Sequence, residues 1–158
     1  MTLAIRKAAP GDEVLVFDFV KKLAVYEKLL HEVQSTESDM RDALVGPVPR
    51  CHCDLAFWSG EPAGFALWFY NFSTFRGRAG IYLEDLFVEP HWRGLGIGKS
   101  LLKALAGRCR NEGLSRLQWA VLDWNEPSIE FYKSLGATAI EEWKTFRLSD
   151  AALERLAE

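Results

Sequence analysis

Cysteine is scarce in this chain. There are three in 158 residues, an odd number, which argues against a disulfide framework. Two of them flank a histidine in Cys51-His52-Cys53. Neighbours on a strand point to opposite faces, and no second ligand pair accompanies the run, so it reads as structural and no metal is expected. Long apolar runs are also missing, none approaching the roughly 18 residues of a membrane span. The first residues, Met1-Thr2-Leu3-Ala4-Ile5-Arg6, lack the basic-then-apolar layout of a secretory signal. The expected setting is therefore cytoplasmic, with no membrane partner. Positive charge is not in excess either. A net charge of −3 argues against general nucleic-acid binding and is compatible with a small cationic substrate. Repeats, linkers and low-complexity tracts are absent, so residues 1–158 are expected to form a single domain.

What the chain does have is an apolar fraction of 49%, enough for a real core, and one informative turn. The apolar run Ile81 to Val88 ends at Glu89-Pro90. Arg93-Gly94-Leu95-Gly96-Ile97-Gly98 follows, and then an amphipathic stretch, Lys99 to Arg110. A strand, a glycine-rich turn and a helix start in that order form an anion site, since the first amides of a helix have no partner within it. A Rossmann fingerprint requires G-x-G-x-x-G, and here the third glycine comes one position early. A P-loop would need glycine where Arg93 stands. The pattern that fits is [RQ]-x-x-G-x-[GA], carried by Arg93, Gly96 and Gly98.

The rest of the chain supplies alternating elements. Strands are expected at Leu3–Lys7, Cys51–Trp58, Ala63–Phe72, Ile81–Val88, Leu117–Leu122 and Ala139–Leu148. Helices are expected from Asp12 to about Lys28, over Glu37–Leu44, from the glycine turn to about Glu112, over Ser128–Leu135 and over Ala151–Leu156. Pro10-Gly11-Asp12 supplies a turn and an N-cap, and Ser35 or Thr36 caps the second helix. Ser59-Gly60-Glu61-Pro62 turns a hairpin. Local hairpins mixed with crossover helices imply a mixed α/β fold, with a mostly antiparallel central sheet and helices on both faces.

The pattern at Arg93, Gly96 and Gly98 resembles the coenzyme-A pyrophosphate loop of the GNAT N-acetyltransferase family. A second block, Trp124-Asn125-Glu126-Pro127-Ser128-Ile129-Glu130-Phe131-Tyr132-Lys133-Ser134-Leu135-Gly136-Ala137, is similar to the N-x-x-[AS]-x-x-[FL]-Y-x-x-x-G-[FA] block of the same family. Tyr82-Leu83-Glu84-Asp85-Leu86-Phe87-Val88, Leu23-Ala24-Val25-Tyr26-Glu27 and Glu141-Glu142-Trp143 resemble its diamine acetyltransferase group, which includes the spermidine/spermine and thialysine enzymes. The resemblance spans nearly the whole chain. It implies the acyl-CoA N-acyltransferase fold, acetyl-CoA as acetyl donor, a small primary amine as acceptor and a homodimer. Acetylation of a protein or peptide amine, or acyl-CoA binding without catalysis, are the alternatives.

The resemblance also implies roles. Transfer of an acetyl group to an amine needs a neutral amine, a polarised carbonyl and a proton for the leaving thiolate. An alkyl ammonium, with a pKa of about 10, must first lose a proton. Tyr132 is the implied acid. Glu84 is implied to order the ammonium and relay its proton, at a strand bulge characteristic of the family. Leu86, Phe87 and Val88 are implied to pair with the pantetheine arm through their backbone. Arg93, Gly94, Leu95, Gly96, Ile97, Gly98 and Lys99 form the pyrophosphate loop. Asn125, Glu126, Pro127, Ser128 and Tyr132 lie on the coenzyme's other side. Tyr26, Glu27, Glu84, Asp85, Gln118, Trp119, Glu142 and Trp143 line the amine pocket, since carboxylates and ring faces suit a cation. Two departures bear on the substrate. The loop Phe75-Arg76-Gly77-Arg78 is unusually basic, as though an arginine there held a carboxylate, and the segment from Gly136 to Trp143 is a few residues short.

Overall fold

The structure, a computed structural model, describes residues 1–158. They fall into two compact units, residues 1–120 and 121–158.

The first unit is built on a five-stranded sheet in the order β1-β2-β3-β4-β5. Its strands are β1 (Leu3–Lys7), β2 (His52–Trp58), β3 (Glu61–Ser73), β4 (Arg78–Val88) and β5 (Leu117–Trp119). β1 to β4 are joined antiparallel. β5 returns parallel to β4 after the crossover helix α3 (Ile97–Glu112). The other helices of this unit are α1 (Glu13–Tyr26) and α2 (Glu37–Val45).

Strand alternation sorts the core into two layers. Val16, Phe19 and Leu23 of α1 pack with Cys53, Leu55, Phe65, Leu67 and Phe87, and the Phe19 and Phe65 rings stack with centroids 5.4 Å apart. The intervening residues face α3. There Arg108 lies 3.4 Å from buried Asp54 and 4.9 Å from the Trp68 ring. Ile97, Leu101, Leu102 and Leu105 of α3 are buried as well. The mixed, mostly antiparallel sheet with helices on both faces is as expected.

Local chemistry explains several boundaries. Thr36 and Asp39 form a reciprocal capping box at the start of α2. Asp12 stands at the N-cap of α1 without capping it. Its carboxylate instead pairs with Arg6 at 2.6 Å and accepts from the Ala9 amide at 2.7 Å, a corner between β1 and α1 that outcompetes the expected cap.

The second unit holds α4 (Glu126–Ser134) and α5 (Asp150–Ala157). The strand expected at Ala139–Leu148 is not formed, and β5 stops at Trp119 rather than Leu122. Between α4 and α5 the chain is irregular and exposed, with Trp143 74% and Phe146 92% accessible. Apolar alternation specifies which face a strand would bury, while a strand forms only when a neighbour supplies its ladder hydrogen bonds.

The backbones of β3 and β4 approach closely at Gly64. A Cβ added to Gly64 would meet the Phe87 carbonyl oxygen at 2.4 Å, and neither strand can retreat from a paired ladder. Gly64→Ala should therefore destabilise the fold by about 2 kcal/mol, within the usual range for overpacking, measured by urea unfolding. An unchanged midpoint would contradict this packing.

Candidate functional site

β4 changes its hydrogen-bonding situation halfway along. β3 borders it throughout, but Leu67 pairs with Asp85 while Trp68 pairs with Leu83. Glu84 is therefore the extra residue of a β-bulge. On the other edge, β5 pairs only with Ile81, Tyr82 and Leu83. From Glu84 to Val88 that edge of β4 lies beyond the ladder, and an extended ligand could add to it as a further strand would. Leu86, Phe87 and Val88 stand on this segment.

A 3₁₀ turn, Pro90–Trp92, leads from β4 to the glycine loop. Gly94 has φ +80 and Gly96 φ +77, and a Cβ at either would meet nothing within 4 Å. Handedness, not crowding, requires glycine here. Gly96 is the N-cap of α3, and the Ser100 amide is the first to close an α-helical bond, to the Gly96 carbonyl at 2.9 Å. The amides of Ile97, Gly98 and Lys99 thus precede the helical ladder. No acid stands in this first turn, so the partial positive charge of the helix start is uncompensated. Buried Ile97 anchors the turn, while Arg93, Gly94, Leu95, Gly96 and Lys99 are exposed. Loop and strand edge suit an elongated ligand with an anionic end.

The carboxylates divide. Glu84, redirected by the bulge, is exposed. Asp85 is partly buried and sits opposite Leu67 on the α1 face. Burial pushes its carboxyl up to about 7, with the charges of Glu84 and then Glu27 adding to the effect. Burial also raises Glu27, directly after α1. The Cys51 thiol is raised by burial and then by Asp85 and Glu84. The charges of Glu84 and Glu27 thus both reach Asp85, a gathering that an arriving ammonium would relieve. Residue type does not rank Asp85 above Glu84, because the difference between their environments follows from the strand pairing.

The other expected residues are placed as follows. Tyr26 is partly buried at the end of α1. Gln118 and Trp119 lie on β5 opposite Tyr82 and Leu83. In the second unit, Asn125 is buried and caps α4, accepting from the Ser128 amide at 3.4 Å. Glu126 and Pro127 open that helix two residues before the expected Ser128. Tyr132 is partly buried on α4, its ring 5.5 Å from that of Phe131. Glu142 and Trp143 are exposed in the irregular stretch. The basic loop Phe75-Arg76-Gly77-Arg78 stands apart from the bulge. It joins β3 to β4 at the end opposite the bulge, and Arg78 precedes Glu84 by roughly 20 Å of extended strand. Its arginines therefore stand away from Glu84 and Asp85 along the strand.

Comparison with known proteins gives a consistent picture. The model of the acetyltransferase (GNAT) family matches residues 20–137. The thialysine N-epsilon-acetyltransferase of Bos taurus is 38% identical, covering 97% of this chain and 96% of its own. The L-ornithine N5-acetyltransferase of Arabidopsis thaliana is 29% identical over 96% of this chain and 86% of its own. Among solved structures, an integron cassette protein from the mobile metagenome of V. cholerae superposes with a TM-score of 0.82 at 27% identity, covering 100% of this chain and 99% of its own.

The state of Asp85 makes a pH prediction. Its folded pKa lies above the ordinary 3.8, so between about 4 and 7 the native state holds more proton than the unfolded one. Stability should therefore fall as pH rises through that window. Of the groups acting with it, Glu27 is raised in the same direction, and Glu84 contributes its charge. Asp85→Asn should flatten the slope of the unfolding midpoint between pH 5 and 8 and raise stability at pH 8. A slope unchanged by the substitution would contradict the assignment.

Proposed function

Because the chain belongs to the GNAT acetyltransferase family and is an N-acetyltransferase, we propose that residues 1–158 work as one domain that moves an acetyl group from acetyl-CoA to the primary amine of a small cationic, lysine-like or diamine acceptor. The observation that carries the choice of acceptor is the set of acids at the bulge, Glu84 and Asp85 with Glu27. Three neighbouring carboxylates favour a compact cation, and the thialysine and ornithine acetyltransferases among the relatives support that class.

Acetyl-CoA supplies the activated acetyl thioester. Amides from Gly94 to Lys99 hold its diphosphate, and the β4 edge at Leu86, Phe87 and Val88 receives the pantetheine arm. An N–H of that edge can also polarise the thioester carbonyl. Asn125, Glu126, Pro127 and Ser128 belong to the coenzyme side by resemblance. Tyr26, Gln118, Trp119, Glu142 and Trp143 complete the proposed acceptor set.

Proton handling falls to this chain's own groups. The acceptor arrives as an ammonium and binds to carboxylate. Glu84, exposed at the bulge, takes its proton, directly or through water, and passes it to solvent. Asp85, lifted by burial to about 7, releases its own proton to solvent when a cation arrives beside it, and the resulting carboxylate strengthens the pairing. Tyr132 donates to the departing thiolate. A homodimer, carried over from the family resemblance, in the cytoplasmic setting expected from the sequence is the form proposed to do this, and light scattering reads the assembly.

Thiol release from acetyl-CoA should be fastest with thialysine, ornithine or a short diamine and at least about tenfold slower with a lysine-containing peptide. A peptide preferred over every small amine would overturn the acceptor class. Tight coenzyme binding without thiol release from any amine would overturn catalysis. Tyr132→Phe should lower kcat about 10²-fold, the usual scale for a proton donor, with coenzyme affinity unchanged. Full turnover across the pH range would remove Tyr132 from the chemistry. Glu84→Gln should raise the amine KM, lower kcat, or both, and leaving both intact would exclude the proposed relay.

A further inference from the structure

Arg93 opens the glycine loop, yet its side chain is committed elsewhere. Its Nε donates to the Val88 carbonyl at 3.0 Å. Its guanidinium carbon lies 4.8 Å from the centre of the Tyr26 ring and 5.7 Å from that of Phe87. These partners are the last residue of α1 and the final two residues of β4. One planar cation thus lies over an aromatic ring while its Nε donates to a carbonyl. Lysine cannot do both, because its ammonium is a point donor on a flexible stem.

The placement joins three parts of the proposed site. The Val88 carbonyl ends the β4 segment that lies beyond the β5 ladder. Tyr26 immediately precedes Glu27, one of the three acids. Arg93 itself leads into Gly94 and Gly96. A second tie reinforces the same junction, since Lys22 of α1 bonds Glu89, the residue after β4, and also Asp18 at 3.0 Å. Of the two, only Arg93 touches the residue beside the acids.

We propose that Arg93 is a positioning residue that couples the coenzyme loop to the amine-binding wall, acting through the Tyr26 ring and the Val88 carbonyl rather than by gripping the diphosphate. The proposal rests on the acetyl-transfer reading and deepens it. The loop amides hold the anion, and Arg93 fixes where the end of α1 stands relative to the end of β4. Loss of the side chain then disturbs acceptor binding more than coenzyme binding.

The test uses the full-length enzyme, with thialysine as acceptor and coenzyme A as the calorimetric probe. Arg93→Ala should raise the thialysine KM about tenfold at saturating acetyl-CoA, the scale of a lost cation–ring contact, with the coenzyme A Kd unchanged. Tyr26→Leu should do the same, and the double variant should be no worse than either single one. Arg93→Lys keeps the charge without the planar face, so its KM should stay raised. A weakened coenzyme A Kd that lysine restores, with the thialysine KM unmoved, would make Arg93 a phosphate contact and overturn the proposal. Unmoved KM and Kd would overturn it too. Should the wild type release no thiol with any amine, the acetyl-transfer reading fails separately. The coupling is then read from thermal unfolding, where non-additive shifts for Arg93→Ala and Tyr26→Leu support it and additive shifts overturn it.

Discussion

The pairing of β4 is the constraint on which the site depends. On one edge the strand is held by β3 along its length. On the other, β5 holds it only through Leu83. The bulge falls at the next residue, Glu84. A bulge and the end of a ladder at adjacent positions turn a core strand into a working edge. Backbone groups that would otherwise be consumed inside the sheet become available to a ligand, while Phe87 and Leu83 remain buried and keep the edge rigid. The glycine loop begins five residues past Val88, so loop and edge are fixed by the same stretch of chain.

The acids at the bulge weigh against stability. Asp85 occupies a face otherwise given to Leu67 and Phe87, where an ionised carboxyl is disfavoured, and Glu84 and Glu27 add repulsion. A protein selected only for stability would place an apolar side chain there. Groups whose pKa is displaced by burial and like charge concentrate at functional sites, and a carboxyl near 7 can change protonation when a cation arrives. Elsewhere the charges are arranged conventionally, as where Arg6 holds the Asp12 carboxyl below its ordinary range.

Much of this was legible in the chain. The glycine loop could be read because positive φ leaves a direct trace, glycine at 94 and 96. The strands that carry Cys53, Leu55, Phe65 and Leu67 could be read because apolar runs bounded by turn residues are a one-dimensional signal. The bulge was expected only through the family resemblance, since register depends on which residue of β3 faces which residue of β4. Residue type alone does not show that Glu84 is exposed and Asp85 partly buried. The lost strand at Ala139–Leu148 has the same origin, as a pattern of faces does not supply a partner. Asp12 and Asn125 show the effect at single residues. The first is drawn from capping by Arg6, and the second, expected only at the coenzyme, is also the buried cap of α4.

Hydrogen–deuterium exchange on the full-length protein, with and without coenzyme A, tests the central claim most directly. If the β4 edge and the helix start hold the coenzyme, amides within 84–88 and 94–99 gain protection on binding, while the loop at 74–78 does not change. Coenzyme binding that leaves both stretches unprotected, or protects only residues remote from them, would contradict the account.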